Sequence, residues 1–353
     1  MRLSDLRFLV AWLLPLLTIN IILRHPEYSA VGTLSIWWGI ALLDALWPGG
    51  KSSPAALGAS MGRHYFVWVL RLYVPLQLVL IGMGAYAVMQ ADWLVLLGVA
   101  FSVGFITGSQ GITFAHEMGH SKAKIDRFGG WVLMTSVCYG HFMVEHYRGH
   151  HPRAATHDDP ASSRRGESLY QFLPRTLWGS LQSGWQLEAL RIAQMKSSWL
   201  RSPLAWSGAA SVMVFVLAAW YLPAQEAMKV MAFFVLQSVV AFVLLEIVNY
   251  IEHYGLQRSS HSNGTDGKRE AFGVMHAWNA DNVATNSMLA NLQRHSDHHL
   301  HAWKAYPTLE PLPGPQLPTG YAGCLLLAMV PPLWFALIHP RLEKLQLNTA
   351  SAQ

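Results

Sequence analysis

Residues 92–120 read DWLVLLGVAFSVGFITGSQGITFAHEMGH. The apolar run over 92–115 has about the length, roughly 20 residues, that a helix needs to cross a bilayer. It stops at His116-Glu117-Met118-Gly119-His120, two histidines four positions apart. On a helix, positions i and i+4 share a face with Cβ atoms about 5–6 Å apart, so both imidazoles can reach one metal ion. A membrane helix that delivers metal ligands at its end organises the reading of the rest of the chain.

Five more apolar runs of similar length surround it, at about 8–24, 31–48, 66–89, 204–223 and 229–250. The first follows Arg2, Asp5 and Arg7 and leads into Arg24-His25-Pro26 without a small-residue cleavage site, so it reads as a retained membrane helix. Hydrophobic residues make up 52% of the 353 and charged residues only 13%, about half the share of a soluble domain. That balance excludes a soluble enzyme and a disordered chain. The expected fold is an all-α integral membrane protein with six transmembrane helices and a histidine-rich cap, one domain over 1–353. Segments 116–203 and 251–353 form the cap. Two further apolar stretches, 130–144 and 321–338, are read as short buried or interfacial segments.

Charge sets the orientation. With the N-terminus in the cytoplasm, 22 of the 25 Lys and Arg residues fall in cytoplasmic segments, as the positive-inside rule requires. The same excess explains the basic character without nucleic acid. It suits anionic lipid headgroups or an acidic protein partner. The fourth and sixth helices both run inward, so every histidine-rich segment meets at one membrane face.

Eleven of the 17 histidines fall in 116–157 and 295–301. Four short words hold the ligand candidates. The second is Glu145-His146-Tyr147-Arg148-Gly149-His150-His151, where 146 and 150 repeat the i, i+4 spacing. The third is Asn249-Tyr250-Ile251-Glu252-His253-Tyr254-Gly255-Leu256. The fourth is Leu292-Gln293-Arg294-His295-Ser296-Asp297-His298-His299, pairing 295 with 298 and 299. The nine candidates are His116, His120, His146, His150, His151, His253, His295, His298 and His299. They are too many for one ion and suit two, and imidazole favours Zn, Cu, Fe or Ni. Glu117, Glu145, Glu252 and Asp297 stand beside them to orient ligands or bridge metals. HEMGH also fits the HExxH pattern of zinc hydrolases, but that site needs three ligands and leaves six histidines idle. A metal carrier is the other rival, although transport sites sit near the bilayer midplane and these words sit at helix ends.

The four words closely resemble, in spacing and order, the histidine boxes of the integral-membrane alkane 1-monooxygenases. Flanking residues are similar too: Gly140-His141-Phe142, Asp159-Pro160-Ala161, Gly166-Glu167-Ser168, His276-Ala277-Trp278-Asn279 and Leu317-Pro318-Thr319-Gly320-Tyr321. The likeness runs from about Trp37 to the C-terminus. Desaturases and xylene methyl monooxygenases share only the looser spacing. The first word differs in Met118 and the following Ser121-Lys122, and after Asn279 the chain reads Ala-Asp-Asn instead of a further histidine-bearing form.

The resemblance implies a non-haem di-iron site on the nine histidines, supported by the four acidic residues, His141 and Asn279. It implies O2-dependent hydroxylation of a terminal methyl on a medium-chain alkane, without haem or flavin, in a bacterial inner membrane with the site facing the cytoplasm. Electrons would come from rubredoxin and rubredoxin reductase. Aryl-methyl monooxygenase and fatty-acyl desaturase are the alternatives within the same class. An apolar channel discriminates chain length weakly per methylene, by roughly 1–3 kcal/mol, so a steric stop is expected. Trp37 and Trp38 in the second helix are the candidates.

Overall fold

The computed structural model describes residues 3–47, 49, 60–258 and 270–351. Six helices are long and apolar enough to cross a membrane: Asp5–Arg24, Pro26–Leu46, His64–Val88, Trp93–His120, Pro203–Tyr221 and Ala224–His253. They coincide with the six runs expected from sequence. The fourth and sixth run further than expected, carrying His120 and His253 in their last turns. Among the described residues there is no strand, only an isolated bridge between Asn279 and Gln316.

The helices are α1 (Val10–Arg24), α2 (Ser29–Leu46), α3 (Ser60–Val88), α4 (Trp93–Ile106) and α5 (Ile112–His120). A π turn, Thr107–Gly111, joins α4 to α5. Then come α6 (Lys124–Thr135), α7 (Phe142–Glu145), a second π turn over His146–His150, α8 (His151–Arg153) and α9 (Leu169–Gln194). The remainder is α10 (Pro203–Tyr221), α11 (Ala224–His253), α12 (Val283–Met288), α13 (His295–Leu300), α14 (Tyr321–Ala328) and α15 (Pro331–Ser351).

The centre of the bundle is α4 packed on α11. A Cβ placed on Gly104 would lie 2.5 Å from the Gln237 carbonyl oxygen, so only glycine permits this approach, the small-residue packing usual between membrane helices. The stretch 130–144 does not cross. α6 turns back at Ser136, whose hydroxyl accepts from Gln77 Nε2 at 2.8 Å and whose carbonyl accepts from Gln237 Nε2 at 3.0 Å. Both glutamines sit about halfway along their spanning helices, so the segment enters to mid-depth and returns. These side chains satisfy polar groups that lipid cannot. The stretch 321–338 breaks into α14 and the start of α15 and does not cross either. Pro331 and Pro332 open α15, where proline is tolerated because the first N–H groups of a helix have no partner.

Candidate metal centre

Four elements deliver the nine histidines to one place. α5 brings His116 and His120, the π turn with α8 brings His146, His150 and His151, α11 ends on His253, and α13 carries His295, His298 and His299. Their ring nitrogens form two groups, each with ligand atoms within 4.8 Å of one another. One group is His116, His120, His146, His151 and His298; the other is His150, His253, His295 and His299. The groups adjoin, the His151 and His299 rings lying 4.6 Å apart between centroids.

Two expected pairings are corrected. His146 and His150 do not serve one group. The segment between them is π-helical, with i→i+5 hydrogen bonds. That register sets His146 beside His151, Nε2 to Nε2 at 3.0 Å, and turns His150 to the other group. On α13, His295 shares a group with His299 at i+4 but not with His298 at i+3.

The chemistry of the donors fits cations. His151 Nε2 lies 3.2 Å from His120 Nε2 as well as 3.0 Å from His146 Nε2. In the other group, His150 Nε2 faces His299 Nε2 at 3.3 Å, and His295 Nε2 faces His253 Nε2 at 3.2 Å. A neutral imidazole has one N–H. His150 Nδ1 lies 2.9 Å from Asp159 Oδ2, so its N–H belongs there and its lone pair turns inward. Lone pairs converging in a buried space repel unless a cation sits among them. Burial and neighbouring imidazoles hold His146, His151, His295, His298 and His299 well below the ordinary histidine value, keeping them neutral as metal ligation requires. For His150 burial acts the same way, but Asp159 outweighs it and raises the value.

The surrounding residues fall into distinct positions. Glu252 lies 3.3 Å from His295 Nδ1 and accepts from Tyr321 Oη at 2.7 Å. Glu145 accepts from Arg153 Nη2 at 2.8 Å and from Ser183 Oγ at 3.3 Å, and burial pushes its carboxyl up to about 7. Glu117 does not face the ligands; it accepts from the Tyr306 N–H at 3.0 Å and holds the loop after the fourth word. Asp297 also turns away, binding His301 Nδ1 at 2.6 Å, Lys304 Nζ at 3.0 Å and the Glu310 N–H at 2.7 Å. Asn279 Oδ1 accepts from the Ser296 N–H at 2.8 Å and so fixes the start of α13. His141 lies against Tyr139, ring centroids 4.2 Å apart, with Nε2 buried and unpartnered.

Asp159 and Tyr321 were not among the expected site residues, although both lie in flanks that resemble the family. Asp159 stands eight residues after His151 and opens the Asp159-Pro160-Ala161 flank, which is the available signal for it. Gly119 of the first word has a steric reason: a Cβ there would fall 1.8 Å from Tyr147 Oη, which donates to the His116 carbonyl at 2.9 Å.

A narrow, mostly apolar cavity of about 50 Å³ is lined in part by the rings of His116, His146 and His295. Phe105, Ile112, Leu244, Val248, Leu292 and Leu325 form its walls. Trp37 does not line it. It packs against Phe105 at 5.0 Å and donates its indole N–H to the Ala322 carbonyl at 3.0 Å, backing the wall from behind. Trp38 is 62% exposed on the outer face of α2 and stands apart from the cavity.

The profile of the fatty acid desaturase family matches residues 91–326. The chain is 37% identical over 333 residues to alkane 1-monooxygenase 1 of Pseudomonas aeruginosa, covering 90% of this chain and 84% of that one. It is 33% identical over 320 residues to an alkane 1-monooxygenase of Pseudomonas putida, covering 87% and 77%. Identity to the hydroxylase component of a Pseudomonas putida xylene/toluene monooxygenase is 25% over 319 residues, covering 87% and 83%. With its six membrane-spanning helices, the chain is an integral membrane protein that belongs to the alkane 1-monooxygenases, within the wider fatty acid desaturase family.

Proposed function

We propose that this chain is a single-domain monooxygenase that converts n-alkanes to 1-alkanols at a di-iron centre held by the nine histidines. The balanced reaction joins R–CH3, O2, two electrons and two protons to give R–CH2OH and water. The observation that carries the reading is the division of nine inward-facing imidazoles into groups of five and four, three of them lining an apolar cavity. The relatives named alkane 1-monooxygenase, more similar than the xylene/toluene enzyme, favour a linear alkane over an aryl methyl group.

Two irons bound there would supply the redox chemistry that activates O2. The chain supplies the rest. Each CH2 buried in the cavity contributes about 0.8 kcal/mol, and its narrowness favours an unbranched terminus by shape. Phe105, held from behind by Trp37, sets one wall and thereby the accepted length and width. Asp159 keeps the His150 N–H outward and its lone pair inward. Tyr321 fixes the Glu252 carboxylate between the cavity and His295. The apolar walls keep bulk water from the reacting methyl.

Electrons come from a separate protein. Cys138 and Cys324 are both free and cannot make a four-thiolate iron site, so reduced rubredoxin and its reductase are the proposed donors. The basic cap, on the cytoplasmic side of the inner membrane in this reading, would steer an acidic partner.

The test is a metal count and an assay on one detergent preparation supplied with octane, O2, NADH, rubredoxin and its reductase. Two irons per chain with 1-octanol formed is the expected result. Two irons with no octanol, but oxidation of a xylene methyl or of an acyl chain, would replace the substrate assignment. One tightly held zinc and no O2 consumption would overturn the reading altogether.

A further inference from the structure

A second, larger cavity lies away from the histidines. It is a groove of about 810 Å³ open to the membrane between α3, α6, α10 and α11. Its walls are almost wholly apolar, and one end is not. Lys124 and Arg127, on the first turn of α6, form that end. They follow His120 by only a few residues, so they stand at the same membrane face as the metal centre. From there the groove follows α3 to Ala85, near the far end of that helix.

We infer that this groove is a binding site for an anionic glycerophospholipid, with an acyl chain in the groove and the phosphodiester at Lys124 and Arg127. Length supports it. α6 is tied to α3 at Arg71 through Asp126, and the rise from there to Ala85 is roughly 21 Å at 1.5 Å per residue. Half the hydrocarbon layer is about 15 Å, so one leaflet's acyl chain fits within the groove.

Charge supports it more sharply. The one carboxylate on this turn, Asp126, accepts from Arg71 Nε at 2.7 Å and from Ser121 Oγ at 2.6 Å, so its charge is already matched. Arg127 spends Nη1 on the carbonyls of Ser121 and Lys122, which fixes the guanidinium at the rim; a guanidinium carries five donors in all. Lys124 is exposed beside it. Trp131 and Trp206 also line the groove, residues suited to the depth of lipid headgroups. An alkane has no charge to place at this end, and a zwitterionic lipid brings its own cation against Lys124.

Native mass spectrometry of the whole protein, released from bilayers of equal phosphatidylglycerol and phosphatidylcholine, tests the site. One phosphatidylglycerol retained per chain is expected. Lys124→Gln with Arg127→Gln should weaken that retention about 30-fold, near 2 kcal/mol at 1.4 kcal/mol per decade. Gly82→Leu tests the groove itself: a Cβ at Gly82 meets nothing within 4 Å, so the protein tolerates it while the tail loses room. Retention should fall there with both cations intact. Unchanged iron content and monodisperse elution show that each variant is folded. Equal retention of both lipids, undiminished phosphatidylglycerol in the folded double variant, or its full displacement by octane would overturn the site.

Discussion

At the scale of single residues, Asp159 is the position where the argument can be broken most cleanly. Its carboxylate is buried and lies 2.9 Å from His150 Nδ1. It also accepts from Ser162 Oγ at 2.6 Å. Burial alone would raise its pKa, but His150 and Ser162 outweigh this and hold it below the usual carboxylate range. Asp159→Asn keeps the shape and removes the charge that fixes the His150 tautomer. Changes of this kind beside a metal ligand cost about 10–100-fold in metal affinity. If each group holds an iron as proposed, the four-histidine group should therefore release its iron at that much lower chelator concentration, while the five-histidine group holds its own. A folded variant with both irons bound as tightly as before would deny Asp159 its positioning role. The acidic residues inside the words teach the complementary lesson. Glu117 and Asp297 are adjacent in sequence to ligands, yet they secure the 301–310 loop. Adjacency on a helix turns a side chain by about 100°, so a neighbour of a ligand most often faces away from it.

At the scale of elements, the second π turn decides which histidines work together. Spacing alone placed His146 with His150, because every helix in a sequence reading has the α period. The i→i+5 register is set by hydrogen bonds that no residue type announces. Coupling measures it. His146→Ala and His151→Ala strike the same group, so their effects on iron affinity should depart from additivity by 0.5 kcal/mol or more, in the range for interacting residues. His146→Ala and His150→Ala strike different groups and should add within about 0.3–0.5 kcal/mol. Chelator competition on the singles and doubles reads both, and the reverse pattern would restore the α-helical pairing. The spanning helices were legible because hydropathy reports directly on length in a bilayer, and the nine histidines because they cluster. The re-entrant α6 was not, since a segment of its length fits several depths. Its mid-membrane position depends on Gln77 and Gln237, which reach it from distant helices. Trp37 and Trp38 were indistinguishable in sequence. The rotation of α2 buries the first behind Phe105 and turns the second outward.

At the scale of the whole molecule, the fold is a device for gathering four sequence-distant words at one membrane face. Parity makes this possible. An even number of crossings separates the end of α5 from the end of α11, so both present their last turn on the same side, where α7, α8 and α13 meet them. One crossing more or fewer would split the histidines across about 30 Å of hydrocarbon. The proposed orientation puts that face, where Lys and Arg concentrate, in the cytoplasm, and it is open to direct measurement with reporters. A fluorescent protein fused after Gln353 should mature and fluoresce, and alkaline phosphatase at the same position should stay inactive. Alkaline phosphatase fused after Pro223, in the connection between α10 and α11, should be active because the proposed orientation puts that turn outside. Converting Lys and Arg of the cap to neutral residues should weaken this preference, since orientation follows basic residues near the helix ends. An active phosphatase at Gln353 would place the metal centre outside. It would also remove the cytoplasmic electron donor from the scheme, because reduced rubredoxin could no longer reach the histidines.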